Sequence, residues 1–499
     1  MYENSKHVII RKWLFIHIIS FLNNTICRIF INKGAYKMNE GKKIDTLISQ
    51  DTEFKREIGV FGGVSVIGGI MIGSGIFYLG SYVLERTGYN LGLSLLAWIM
   101  GGLISLFGGL CFAELGASIP KAGGKTVYLT EAYHPCVGFL AGFSDWLIAG
   151  PGSIAAISVA LPTALRAFID ISDAGLKVFA IVLIIGLTIY NCYGVKLSSI
   201  LQNISMVAKL IPIILIMCVA LFFGKITPDI SLDAASEAAR SNGTNVISML
   251  AFAVVASLWA YEGWTNLNSL AEEVKNPKKD LPLALIVGIG GITLLYTVFN
   301  FAIYKVLPHD TIVSMIKGGN FYLGTEVAKQ VLGNVGGILV TVAMVLAMFG
   351  SINGLILAQP RTYYAMAQEG HFFKSFAKLH HKYKVPIYPI VVQCILSIIL
   401  VLMRNLDQLT NLVVFQSMLF NFLTVLAVPI CRKKLPNIER PYKVWFYPFS
   451  IIITGLIYVA LVISTFFDDP ASAIVGLSVP AIGILFYLYF DKKLKKELC

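Results

Sequence analysis

At 499 residues, 56% of them hydrophobic and only 14% charged, with a mean hydropathy of +0.74, the chain is too apolar for water, since soluble domains carry about 25% charged residues. Its net charge of +12 would suit nucleic acid only if it were gathered on a solvated domain. The basic residues instead cluster at the ends of apolar runs, where they act as a topology signal, so nucleic acid is excluded as a partner.

In chain order, residues 1–37 fit the rest poorly. Trp13 to Ile31 is apolar enough to imitate a span or a signal-sequence core, but Asn23, Asn24 and Arg28 interrupt it and no convincing cleavage site follows. Met38 then opens a polar stretch, Asn39-Glu40-Gly41-Lys42-Lys43. Lys33-Gly34-Ala35, shortly before it, is what a bacterial ribosome-binding sequence spells when translated. The expectation is a start at Met38, with 1–37 a non-native extension and 38–57 a cytoplasmic lead-in; an extra anchor is the rival.

Spans follow near 58–87, 91–117, 133–165, 176–193, 198–222, 246–271, 282–306, 331–360, 386–404, 408–430, 445–467 and 471–490. Each is long enough to cross ~30 Å of hydrocarbon. Ten form a core over 58–430, and two more with a basic tail fill 431–499. With both termini cytoplasmic, most Lys and Arg fall on that side, including Arg432-Lys433-Lys434 and Lys495-Lys496. This obeys the positive-inside rule and implies contact with anionic membrane lipids. The eight cysteines form no CxxC pair and read as packing residues, so neither a disulfide nor a metal is expected.

Two spans are broken. The first carries Gly68-Gly69-Ile70-Met71-Ile72-Gly73-Ser74-Gly75; five spans later, 246–271 carries Ala256-Ser257-Leu258-Trp259-Ala260-Tyr261-Glu262-Gly263-Trp264. Backbone opens at membrane depth only where it lines a cavity that something polar fills. Interrupted segments at matching places in two halves point to a five-plus-five inverted-repeat transporter with broken helices 1 and 6. Gly69-x-x-x-Gly73 alone would read equally well as a helix-packing motif; the matching second break tips the balance.

A broken helix offers unpaired N–H groups at the start of its second half and unpaired carbonyls at the end of its first. A zwitterionic amino acid has the complementary charges. The N–H groups around Gly73, Ser74, Gly75 and Ile76, with the Ser74 hydroxyl, are placed to hold its carboxylate. Carbonyls near Met71, Ile72, Trp259, Ala260 and Glu262 are placed to hold its ammonium; Ser257, Ser351 and Asn353 are weaker candidates. Lys209 stands inside an apolar span, at about 2.5–3.5 kcal/mol on insertion scales. Its ammonium would occupy a sodium-like position between spans one and eight, with snorkelling as the alternative; proton coupling stays open. Glu262 would bind a cationic substrate, carry a proton or cap backbone. Gly124-Lys125-Thr126 lacks the earlier glycine of a phosphate loop, Ile119 standing there, and His371, His380 and His381 lack partner ligands for a metal. No cofactor is implied. No nucleophile–base pair supports an enzyme.

Ile72-Gly73-Ser74-Gly75-Ile76-Phe77, Ile119-Pro120-Lys121-Ala122-Gly123-Gly124, Ala260-Tyr261-Glu262-Gly263-Trp264 with Glu272-Glu273-Val274-Lys275-Asn276-Pro277, Gly350-Ser351-Ile352-Asn353-Gly354 and Arg440-Pro441-Tyr442-Lys443-Val444 together resemble the amino acid–polyamine–organocation superfamily. Within it they are similar to the L-amino-acid transporter family, over most of 55–490, and to its bacterial serine/threonine exchangers. The resemblance implies a leucine-transporter-like all-α fold of about 12 transmembrane helices in a bacterial plasma membrane. It implies sodium-independent, alternating-access exchange, carboxylate binding at Ser74 and Gly75, Lys209 in place of sodium and an aromatic gate at Trp259. Relatives often have Phe at the position of Trp259 and Gly or Asp at that of Glu262, which leaves substrate size and charge open. Residues 166–177 hold no cysteine, so no disulfide-linked heavy chain is expected. The leading expectation is an antiporter of small or mid-sized neutral L-amino acids such as serine or threonine. A cationic amino-acid or polyamine carrier and a membrane amino-acid receptor are the alternatives.

Overall fold

A run of about 20 apolar residues cannot leave its N–H and C=O groups facing hydrocarbon, so it coils into helix. The computed structural model follows that rule across the residues it describes, which are 47, 49, 52–73, 75–166, 169–232, 245–403, 406–468 and 470–498. The extension 1–37, most of the lead-in 38–57 and the candidate Ser74 lie outside them. In chain order the helices are α1 (Val60–Met71), α2 (Gly75–Arg86), α3 (Leu91–Ser118), α4 (Lys125–Ala132), α5 (Pro135–Ser144), α6 (Gly150–Leu165), α7 (Asp173–Cys192), α8 (Val195–Phe223), α9 (Val246–Ala260), α10 (Asn266–Ser269), α11 (Pro277–Val306), α12 (His309–Lys317), α13 (Leu323–Leu332), α14 (Asn334–Gln368), α15 (Ile387–Met403), α16 (Leu406–Lys434), α17 (Phe449–Asp468) and α18 (Pro470–Leu498).

Among the described residues, eight helical segments are long and apolar enough to cross a membrane, and α1 with α2 forms one further span bent by 55°. Three shorter apolar helices, within α9, α15 and α17, occupy the remaining predicted positions. The protein is therefore an all-α polytopic membrane protein. Side-chain caps start several spans: Asn90 accepts the Leu93 N–H at 2.7 Å and Asn245 that of Ser248 at 2.8 Å. Large apolar residues such as Phe222 and Ile247 face outward, as lipid contact requires.

The packing carries the repeat. The second span, α3, lies along the seventh, α11; the first half-span α1 packs on α11, and its counterpart α9 packs on α3. Likewise α14 packs on α8, and its counterpart α6 packs on α16. These interchanges are what a pseudo-two-fold relation between spans 1–5 and 6–10 produces. Five crossings separate the breaks, so the halves enter the membrane from opposite sides.

The third span is continuous but contains one wide turn, a π segment over Asp145–Ala149 that joins α5 to α6 and is closed by the Gly150 N–H on the Asp145 carbonyl. Pro151 supplies the cause, since it has no N–H for the carbonyl one α-turn earlier and its ring crowds that oxygen. At the end of the molecule that carries the basic loops, residues 52–58 are tied to the segment after the second break. Ile58 forms an isolated bridge with Val274, Arg56 Nη1 donates to the Val274 carbonyl at 2.7 Å, and Thr52 Oγ1 donates to Glu272 at 2.8 Å. Beneath lies a buried ion pair in which Arg361 Nε donates to Glu273 Oε1 at 2.6 Å.

Candidate functional site

The first break begins where α1 stops at Met71. The Ile72 N–H still reaches Gly68 at 3.0 Å, but Ile72 leaves helical geometry and the Gly73 N–H turns back to the Met71 carbonyl at 2.9 Å. The final carbonyls of α1 lose their usual acceptor role in a continuing helix. Side chains from other spans take them over. Lys209 of α8, fully buried, donates to the carbonyls of Gly68, Gly69 and Ile72 at 2.9, 2.8 and 2.7 Å. An ammonium has three donors, and here all three meet main-chain oxygen. Ser351 of α14 adds its hydroxyl, 2.9 Å from the Gly69 carbonyl and 3.1 Å from that of Ile70.

The second break follows Ala260. Tyr261 and Glu262 turn their N–H groups back on the Leu258 and Trp259 carbonyls, at 3.1 and 3.2 Å. Gly263 then takes a φ of +123°, and a Cβ there would sit 2.5 Å from Ile70 Cγ2. Only glycine fits both the conformation and the space, so the two broken spans cross in direct contact. Tyr296 of α11 joins them: its hydroxyl lies 2.9 Å from the Met71 carbonyl and 3.1 Å from that of Ala260.

A pocket with both polar and apolar lining opens where the breaks meet, the setting in which small-ligand sites occur. Of the sequence candidates, Met71, Gly73, Gly75, Trp259, Ala260 and Glu262 line it. Ile72 and Ile76 are buried beside it without lining it. Lys209 and Ser351 stand behind the wall and hold it in place. Ser257 bonds the Val254 carbonyl at 2.8 Å, and Asn353 joins Asn191 and Gln202 in a buried amide chain at 3.0 and 2.7 Å. Neither of these two reaches the cavity. Of the carbonyls assigned to a ligand ammonium, those of Ile72 and Ala260 each accept one protein donor, which leaves one lone pair on each, whereas that of Met71 already accepts two, from the Gly73 N–H and the Tyr296 hydroxyl.

Several polar wall residues escape sequence reading. Lys125 and Asp145 form a largely buried ion pair at 3.0 Å, and Gln359 bonds Asn266 at 3.0 Å, all on the cavity wall. Tyr296, the bridge between breaks, is a further position without a sequence signal beyond being a polar-tipped residue in an apolar span. Glu262 shares the cavity wall with Ser417.

Comparison with known proteins agrees with this architecture. A family described as amino acid permease matches residues 58–488. The chain is similar to the serine/threonine exchanger SteT of Bacillus subtilis (strain 168), 32% identical over 89% of this chain and 99% of that protein. It is 30% identical to the human cystine/glutamate transporter over 93% of each chain. It is also 30% identical to the human large neutral amino acids transporter small subunit 2, over 88% of this chain and 82% of the relative.

Proposed function

The chain belongs to the amino acid permease family, within the amino acid–polyamine–organocation superfamily, and from that premise we propose a sodium-independent exchanger of small or mid-sized neutral L-amino acids such as serine and threonine. It is a multi-span membrane amino-acid transporter, not an enzyme. In the proposed mechanism, the start of α2 at Gly75, with Ser74 before it, receives the carboxylate. The remaining lone pair at Ala260 receives the ammonium, and Trp259 closes over the side chain. The ten-span core 58–430 carries the cycle in a bacterial plasma membrane with both termini cytoplasmic, and no disulfide-linked heavy chain joins it.

One observation carries the sodium-independent part of this reading. The Lys209 ammonium sits on three carbonyls at the first break, a place and coordination that a bound monovalent cation would otherwise fill. A fixed positive charge there keeps α1 attached to the spans around it without an ion from solution. Alternating access would then be driven by amino acid alone, which is the condition for obligatory exchange.

Glu262 supports a second reading. A carboxylate on the cavity wall suits a cationic side chain, so a carrier of cationic amino acids or polyamines is the alternative. Counterflow in proteoliposomes decides between them. Labelled serine should enter only vesicles preloaded with unlabelled amino acid, and arginine should compete weakly. Dominant competition by arginine would establish the alternative, and saturable binding without flux would make the protein a receptor.

A further inference from the structure

The cavity wall holds an ion pair to which the transport reading assigns no task. Gly123 and Gly124 adopt φ values of +96° and +51°, and a Cβ on Gly124 would lie 2.9 Å from the Ser269 nitrogen. Glycine alone lets this loop press against α10, where the Gly123 N–H donates to the Ser269 carbonyl at 3.2 Å. The turn launches α4, and its first residue, Lys125, enters the cavity to meet Asp145 at 3.0 Å, their side chains 11% and 7% exposed. Asp145 opens the π turn of the third span, a feature that concentrates at functional sites.

Stability is a poor reason for such a pair. Desolvating two charges offsets most of their attraction, and apolar residues of equal volume commonly do as well. The charge count is more informative. Among the described residues lining the cavity, the charged ones are Lys125, Asp145 and Glu262, one ammonium against two carboxylates. Glu262 comes from the second break, so the pair faces the same space as the ligand's side chain.

We propose that Lys125 and Asp145 set which side-chain charge the cavity accepts, Lys125 by offsetting one of the two carboxylates and Asp145 by holding Lys125 away from Glu262. Removing the ammonium leaves two uncompensated carboxylates and favours cationic amino acids. Removing the Asp145 charge frees Lys125 to neutralise Glu262 and admits acidic ones. The inference rests on the amino-acid reading above for its ligand class.

The test is thermal stabilisation of the purified full-length protein by serine, arginine and glutamate, each added alone at equal concentration. Relative to wild type, the arginine-over-glutamate preference should rise ~10-fold in Lys125→Gln and fall ~10-fold in Asp145→Asn, as expected for one unit charge acting across a partly screened cavity. Each variant has its own required sign, so either one that folds decides the matter. The double variant Lys125→Gln/Asp145→Asn should return to within about threefold of wild type, separating charge from lost shape. Equal preferences in wild type and a folded single variant, or shifts of the same sign in both, would overturn the proposal. Variants that show these signs while the wild type exchanges no amino acid would sink the transport reading and leave the charge assignment standing.

Discussion

The two broken spans solve one problem in different ways. At the first break the carbonyls of Gly68, Gly69, Ile70 and Ile72 are held from outside, by Lys209 of α8 and Ser351 of α14. At the second, the chain turns back on itself, with N–H groups of 261 and 262 on their own preceding turn and Gly263 supplying the reversal. An externally held break moves with the helices that hold it, whereas a self-contained one keeps its shape. The comparison assigns the first break to coupling with the rest of the protein. It leaves the second as a wall that presents Trp259 and Glu262 to the cavity.

If that division is right, substitutions should hurt in a definite order. Lys209→Ala leaves the buried Ile72 carbonyl without a donor, at about 1–3 kcal/mol, strips one donor each from those of Gly68 and Gly69, and should cut counterflow ~100-fold while protein still reaches the membrane. Undiminished exchange would remove Lys209 from the account. Gly263→Ala forces a side chain into the left-handed region and against Ile70. At about 2–4 kcal/mol for strain and overpacking, it should lower the melting temperature as well as flux, since it damages the self-contained wall. A variant that melts like wild type would mean the turn is not fixed.

Tyr296→Phe tests the link between breaks. It deletes one hydroxyl shared by Met71 and Ala260, worth about 1–2 kcal/mol, and should weaken serine affinity several-fold with little change in melting. Ser351→Ala should matter least, within about threefold, because the Gly69 carbonyl keeps Lys209 and only the longer 3.1 Å contact to the Ile70 carbonyl goes unreplaced. A larger loss than in Tyr296→Phe would reverse the ranking and make the hydroxyl the principal holder of the first break.

Much of this was legible in the chain itself. Glycines in an apolar run announce a break, and a lysine in a span announces a polar partner, because hydrocarbon tolerates neither alone. What remained hidden were the partners. Tyr296 stands 225 residues along the chain from Met71, and it addresses a carbonyl, a group every residue carries. No side-chain pattern encodes which carbonyl is free. Lys125 was set aside for failing as part of a phosphate loop; its role depends on how Gly123 and Gly124 fold against α10, which the letters alone do not state. Asn353 and Ser257 look like ligand groups because they are polar and near the breaks, yet the amide is spent on side chains of neighbouring helices and the hydroxyl on the carbonyls of Val254 in its own helix and Ala97 of α3.

The most direct measurement is counterflow of labelled serine by the wild-type protein in proteoliposomes with all sodium replaced by choline. A lysine ammonium already seated on the first break predicts the same initial rate with and without sodium. Uptake that collapses in choline and returns with sodium would contradict it, because the cation the cycle needs would then come from solution rather than from Lys209.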